Sequence, residues 1–199
     1  MEFHDFPKIP RLSREIIITE KIDGTSAQIC IATGYNDTPG VIANYVNEST
    51  LTNMVMFAGS RTRWITPEDD NFGFAAWAKA NAAALFELGE GRHFGEWWGA
   101  GIQRKYGQTS KRFSLFNTSR WSESRPACCD VVPELYRGDF STEVVGAVLE
   151  RLRTLGSVAA PGFMKPEGVV LFHTAGNFGF KKTLENDEVP KSIVEKQAV

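Results

Sequence analysis

Apolar and polar positions change period several times along the chain, and each change marks an element. Residues 15–22, EIIITEKI, form a β-branched run that predicts a strand. Residues 26–33, SAQICIAT, alternate and predict its hairpin partner, with the Asp23-Gly24 pair at the turn. Residues 34–40, GYNDTPG, have loop composition. From Asn71 to Leu88 the chain is alanine-rich, with Phe74, Trp77, Leu85 and Phe86 among the apolar positions, which predicts a helix ended by Gly89. Residues 92–99, RHFGEWWG, and 112–117, RFSLFN, predict short aromatic strands. Residues 141–156 predict a second helix. Val144, Val145, Val148, Leu149, Leu152 and Leu155 form its stripe, Ser141 or Thr142 its cap and Gly156 its end. Two more strands, at 167–174 and 178–184, flank the turn at 175–177, and residues 189–199 suit a short terminal helix. Hairpins and separated helices, without βαβ alternation, predict an α+β fold.

Composition narrows the class. With 199 residues, 42% hydrophobic and 23% charged, the chain is expected to form a single domain over residues 1–199 with a sizeable core. Its net charge of −2 excludes a uniformly basic protein. The charge is uneven, however. Between Gly101 and Arg125 stand Arg104, Lys105, Lys111, Arg112, Arg120 and Arg125 against a single acid, Glu123. Cys30, Cys128 and Cys129 contain no CxxC pair, so neither a disulfide framework nor a zinc site is expected. Without a signal-peptide pattern or a membrane-length apolar run, the expected location is the cytoplasm.

The chemistry concentrates in short stretches. KIDG at 21–24 sets a lysine at a strand end beside a turn. SRTR at 60–63, FGEWWG at 94–99, FSLFN at 113–117, PEGVV at 166–170 and FKK at 180–182 add cations, acids and aromatics. Singly, each has a structural explanation: a solvated strand edge, a half-buried acid, core phenylalanines, a turn glutamate. His4, His93 and His173 lack the spacing of a metal site or a triad and are read as structural. Together the stretches supply a lysine nucleophile, cations for phosphates, acids for a metal or ribose, and an aromatic plate for a base.

In this order the motifs resemble the covalent nucleotidyltransferases of the ATP-dependent ligase and capping-enzyme superfamily, most of all the phage RNA ligase 2 branch. KIDG matches the nucleophile motif, and the run GEWWGAGIQRKYG at 95–107 is the most branch-specific piece. The resemblance covers about residues 17–190. It implies an antiparallel α+β nucleotidyltransferase (adenylation) domain with the nucleotide between two sheets. No C-terminal OB or helical domain is expected within this chain.

The resemblance also implies a reaction. A lysine amine attacks the α-phosphate of ATP to give lysyl-AMP, AMP passes to a 5′-phosphate end, and a 3′-hydroxyl displaces it. Lys21 matches the nucleophile. A free lysine is neutral in only roughly one molecule in a few thousand at pH 7, so nearby cations must favour the amine. Lys181, Lys182 and a magnesium or manganese ion are implied there, with Glu167 as metal ligand, Arg61 on ribose or phosphate and Glu96 on the ribose hydroxyls. Phe116, rather than Phe113, is implied as the adenine plate. Glu20 is expected to read the adenine edge, and Ile22 and Ser26 complete the nucleotide-binding set. Two departures matter. Ser26 stands where RNA ligases often carry Asn, and adjacent Lys181 and Lys182 point to opposite strand faces, which favours Lys181. As a strand-end residue, Lys21 is expected to contribute little to stability.

The basic run, with Arg104, Lys105, Lys111 and Arg112, is expected to bind nucleic acid. The implied substrate is an RNA end, with a partner protein or splint to align the ends. The alternatives are a minimal DNA ligase acting on DNA or a nicked duplex, and a nucleotide- or nucleic-acid-binding module with little turnover.

Overall fold

The computed structural model describes residues 1–188; the terminal helix expected at 189–199 lies outside the described residues. The chain divides into two compact units, one of Met1–Lys21 and the chain from Pro133 onward, the other of Ile22–Val132. Both boundaries are points where the chain changes sheet, and the first falls inside KIDG.

In the first unit, β1 (Glu15–Lys21) is central, with β9 (Glu134–Asp139) on one side and β10 (Gly168–His173) on the other. β11 (Phe178–Thr183) pairs with β10, giving the antiparallel order β11-β10-β1-β9. Helix α4 (Thr142–Leu155) begins where Ser141 Oγ accepts the Val144 N–H at 3.2 Å and ends at Gly156, as its sequence predicts. Its Val145, Val148, Leu149 and Leu152 bury against Ile16, Ile18, Val169 and Leu171 on one face of the sheet. Leu155, expected in the stripe, is exposed because the helix ends beyond the sheet contact.

The second unit holds a seven-stranded sheet. Its main path is β3 (Ala43–Asn47), β4 (Thr52–Gly59), β2 (Thr25–Thr33), β6 (Gly91–Gly99), β7 (Lys111–Leu115) and β8 (Cys129–Val131). β5 (Trp64–Ile65) pairs with β4, and β7 with β8 is a parallel pair in an otherwise antiparallel sheet. One face is covered by α1 (Phe74–Ala80) and α2 (Ala82–Leu85), over Ala27, Ile29, Met56, Trp97, Phe113 and Leu115.

Two expectations are corrected. β1 and β2 are not hairpin partners: both edges of β1 are taken by β9 and β10, and both edges of β2 by β4 and β6. The single helix expected over Asn71–Leu88 is instead α1, α2 and a 3₁₀ turn at Phe86–Leu88. It starts late because Phe72 and Gly73 take left-handed conformations, while Asp70 accepts the N–H groups of Ala75 and Ala76. It breaks at Asn81, whose side-chain amide donates to the Trp77 carbonyl at 2.8 Å, in competition with the helical backbone. The short helix α3 (Thr118–Trp121), capped by the Asn117 side chain, ends the aromatic strand one residue before Phe116.

Candidate active site

The first unit carries Lys21, Glu167 and the two late lysines. Lys21 is the last residue of β1 and pairs with Gly168, the first of β10. Its Nζ lies 2.6 Å from Glu167 Oε2, and Glu167 is only 2% exposed. Gly168 sits at φ +153°, and a side chain there would overlap the Lys182 carbonyl, so only glycine lets β11 close on this point. The register settles which late lysine shares a face with Lys21. Lys181 pairs with Val170, which pairs with Thr19; Lys182 pairs with Val169, which pairs with Glu20. Cross-strand partners share a face and successive residues alternate. Lys181 therefore lies on the face of Lys21, whereas Lys182 lies on the face packed by α4. Lys182 also binds Asp187 at 3.0 Å. The Thr183 N–H and then the Lys182 ammonium hold the Asp187 carboxyl below its ordinary range. Lys181 is exposed and makes no hydrogen bond or ion pair among the described residues.

Glu20 is buried, and its carboxylate accepts the Ser157 hydroxyl at 2.5 Å and the N–H groups of Val158 and Ala159 at 2.8 and 2.9 Å. A carboxylate bound by the 157–160 turn anchors the end of β1. No feature of the 157–160 sequence marks this contact except Ser157 itself.

The second unit carries the remaining motifs. Ser26 and Glu96 pair directly across β2 and β6, on the sheet face opposite the α1-backed core. Glu96 Oε1 accepts the Gly24 N–H at 3.0 Å. A side chain at Gly24 would overlap the Trp97 carbonyl, which accounts for the glycine of KIDG. Ile22 is buried, so its side chain is core. Phe113 is fully buried against Phe74, while Phe116 is 43% exposed. Arg61 is exposed and makes no hydrogen bond or ion pair among the described residues; its neighbour Arg63 is paired with Asp69 at 2.6 Å.

The GIQRKYG run also has a structural part. Arg104 binds Asp23 at 3.0 Å, and the Asp23 N–H donates to the buried Tyr106 hydroxyl at 2.9 Å. Tyr106 in turn packs edge-on against Trp98, whose Nε1 donates to Ser114 at 2.9 Å. The loop is strained to make this clamp: Gln103, Lys105 and Tyr106 all have positive φ. Other cations of the run are also engaged. Lys111 donates to the Phe72 carbonyl at 2.6 Å, and Arg112 binds Asp130 through two nitrogens at 2.8 Å each, which raises its pKa. Arg120 and Arg125 donate to backbone carbonyls. Arg104, Lys111 and Arg112, expected with Lys105 on a nucleic-acid track, thus also tie the sheet and the KIDG turn together. His93 and His173 are buried and bonded to the carbonyls of Gly89 and Leu12.

Known proteins share this fold. Several solved structures of Naegleria gruberi RNA ligase superimpose on the chain. An apo mutant gives a TM-score of 0.57 at 19% identity, over 92% of this chain and 52% of that one. A mutant with AMP and Mn gives 0.57 at 18% identity, over 93% and 52%. A mutant with ATP and Mn gives 0.55 at 18% identity, over 94% and 52%. The chain thus spans about half the length of these structures, and they share its nucleotidyltransferase fold. No curated protein sequence matches it. The family model described as RNA ligase matches residues 14–184, every motif from KIDG to FKK included. The chain belongs to the RNA ligase family.

Proposed function

We propose that this chain is an ATP-dependent RNA ligase of the RNA ligase 2 type, acting through a lysyl-AMP on Lys21, with residues 1–199 as a single adenylation domain. The observation that carries the reading is the Lys21–Glu167 pair, a strand-end lysine against a buried carboxylate, with free Lys181 on the same sheet face. In the absence of nucleotide, Glu167 holds the Lys21 ammonium. A magnesium or manganese ion suits Glu167, because such ions keep much of their water and are commonly bound by one carboxylate plus substrate phosphates. When bound there, the ion supplies positive charge that offsets the α-phosphate and disfavours the lysine's proton.

The chain's own residues do the rest. Neutral Lys21 Nζ attacks the α-phosphorus and loses a proton; the bond to the β-phosphate breaks and pyrophosphate leaves. Lys181 stabilises charge on the phosphate, Arg61 binds phosphate or ribose, Glu96 the ribose hydroxyls, and Phe116 stacks on adenine. A 5′-phosphate oxygen of RNA then attacks the α-phosphorus, breaking the P–N bond and capping the end with AMP. Finally a 3′-hydroxyl attacks the RNA 5′-phosphorus and AMP leaves. A splint or partner protein that aligns the two ends speeds this last step, because orientation supplies much of its acceleration.

Among the described residues no helix is long and apolar enough to cross a membrane, and the three cysteines are free. We place the protein in the reducing cytoplasm on the latter ground. The test is sealing of splinted 5′-phosphate and 3′-hydroxyl RNA ends with ATP and magnesium. Sealed RNA with release of AMP supports the reading. Sealing of DNA ends only, or binding of RNA without any covalent product, contradicts it.

A further inference from the structure

The open face of the seven-stranded sheet continues beyond Ser26, Glu96 and Phe116. One cross-strand row reads Trp64, Gly59, Gln28, Phe94 and Phe116. Trp64 pairs with Gly59, Gly59 with Gln28 and Gln28 with Phe94, and the Phe116 N–H donates to the Phe94 carbonyl at 2.9 Å. Partners in such a row share a face, at about 4.8 Å per strand. Phe94 and Phe116 therefore stand side by side. They are 51% and 43% exposed, and neither packs against another ring among the described residues.

Along β6, Phe94 stands between Arg92 and Glu96 on the same face. Arg92 lies two residues earlier on β6 and shares its face. The Arg92 guanidinium sits 5.2 Å from the centre of the Trp64 ring and reaches Gln28 Oε1 at 3.4 Å. The Gln28 side chain lies across Gly59 toward the Ser60 carbonyl, next to Arg61, so the floor between Trp64 and Phe94 stays flat and polar. The row holds no carboxylate. Exposed rings interleaved with guanidinium groups match bases and phosphates. They are too small an apolar patch for a stable protein interface.

We infer that Phe94 is a second base platform beside Phe116, which takes a base at a single-stranded RNA end while Arg92 meets the phosphates. This rests on the RNA ligase reading and adds an RNA contact on the β6 face to the one expected at 101–125. The test is fluorescence anisotropy of the full chain with a labelled single-stranded oligoribonucleotide, without ATP, next to Lys21 adenylylation with ATP and no RNA. Phe94→Ala should weaken RNA binding about tenfold and leave adenylylation unchanged. Phe94→Tyr should retain affinity to within about twofold, since it keeps the ring. Arg92→Gln should flatten the dependence of log affinity on log salt by about one contact. Unchanged RNA affinity in Phe94→Ala, no RNA binding by the wild-type chain, or an equal loss of adenylylation would overturn the inference. Failure of the wild-type chain to adenylylate would count instead against the proposed reaction, since the binding assay does not depend on it.

Discussion

Lys21 ends β1 and Glu167 directly precedes β10, its paired strand, with Nζ and Oε2 2.6 Å apart, and the lysine covers a carboxylate that is only 2% exposed. Beside its proposed chemistry, Lys21 is therefore expected to contribute more to stability than an unpaired strand-end lysine. Lys21→Met leaves a buried carboxylate without its cation, and a loss of about 1–3 kcal/mol is expected. Manganese should raise the melting temperature of Lys21→Met more than that of the wild type, because the Lys21 ammonium no longer competes for Glu167, and EDTA should reverse the gain. Equal metal shifts in the two proteins would separate Glu167 from the metal.

Phe113 and Phe116 should separate cleanly. Phe113 lies in the core with Phe74 and Trp77, so Phe113→Ala is expected to cost about 3–5 kcal/mol. Phe116 is exposed, so Phe116→Ala should leave the melting temperature nearly unchanged and weaken ATP use, with Phe116→Leu intermediate. Melting curves beside ATP-dependence of labelling read both effects.

The clamp on KIDG makes Arg104 and Lys105 unequal. Tyr106→Phe strands the Asp23 N–H and should cost about 1–3 kcal/mol. Arg104→Gln removes the partner of Asp23 and should slow Lys21 adenylylation as well as joining. Lys105→Gln should leave adenylylation unchanged. Single-turnover labelling rates of the three variants check the ordering.

Burial lowers the His93 pKa below the ordinary value, despite its bond to the Gly89 carbonyl. The unfolded chain then binds more protons than the folded one in the interval between the two values. Stability from this group is fully present above the unfolded pKa of about 6.5 and is lost as pH falls below it toward the lowered folded value. Urea midpoints at about pH 7.5 and about pH 5.5 should differ less in His93→Gln than in the wild type.

How far the sequence was legible follows from where each hydrogen bond goes. α4 was readable because its stripe, its Ser141 cap and its Gly156 stop are all local. The strand positions of Lys21, Glu96 and Lys181 were readable from alternation. The pairing of β1 was not, because the KIDG turn sends its N–H groups to Tyr106 and Glu96, 83 and 72 residues away, rather than across a hairpin. The partners of the basic run were not legible for the same reason. Its composition shows the cations, whereas their acceptors, Asp23, Asp130 and the Phe72 carbonyl, are set by the fold. The burial of Glu20 was likewise not legible, because the turn at Ser157 that binds it is distant in sequence.

The central claim is that Lys21 is the covalent nucleophile, and intact mass after incubation with ATP and magnesium tests it most directly. The expected result is a gain of one AMP, lost in acid and retained in alkali, mapped by peptide sequencing to Lys21. The gain should be absent in Lys21→Met, absent or greatly slowed in Lys181→Ala, and largely kept in Lys182→Ala, whose lysine faces α4 and Asp187. A wild-type chain that gains no mass, or an adduct that persists in Lys21→Met, would contradict the account.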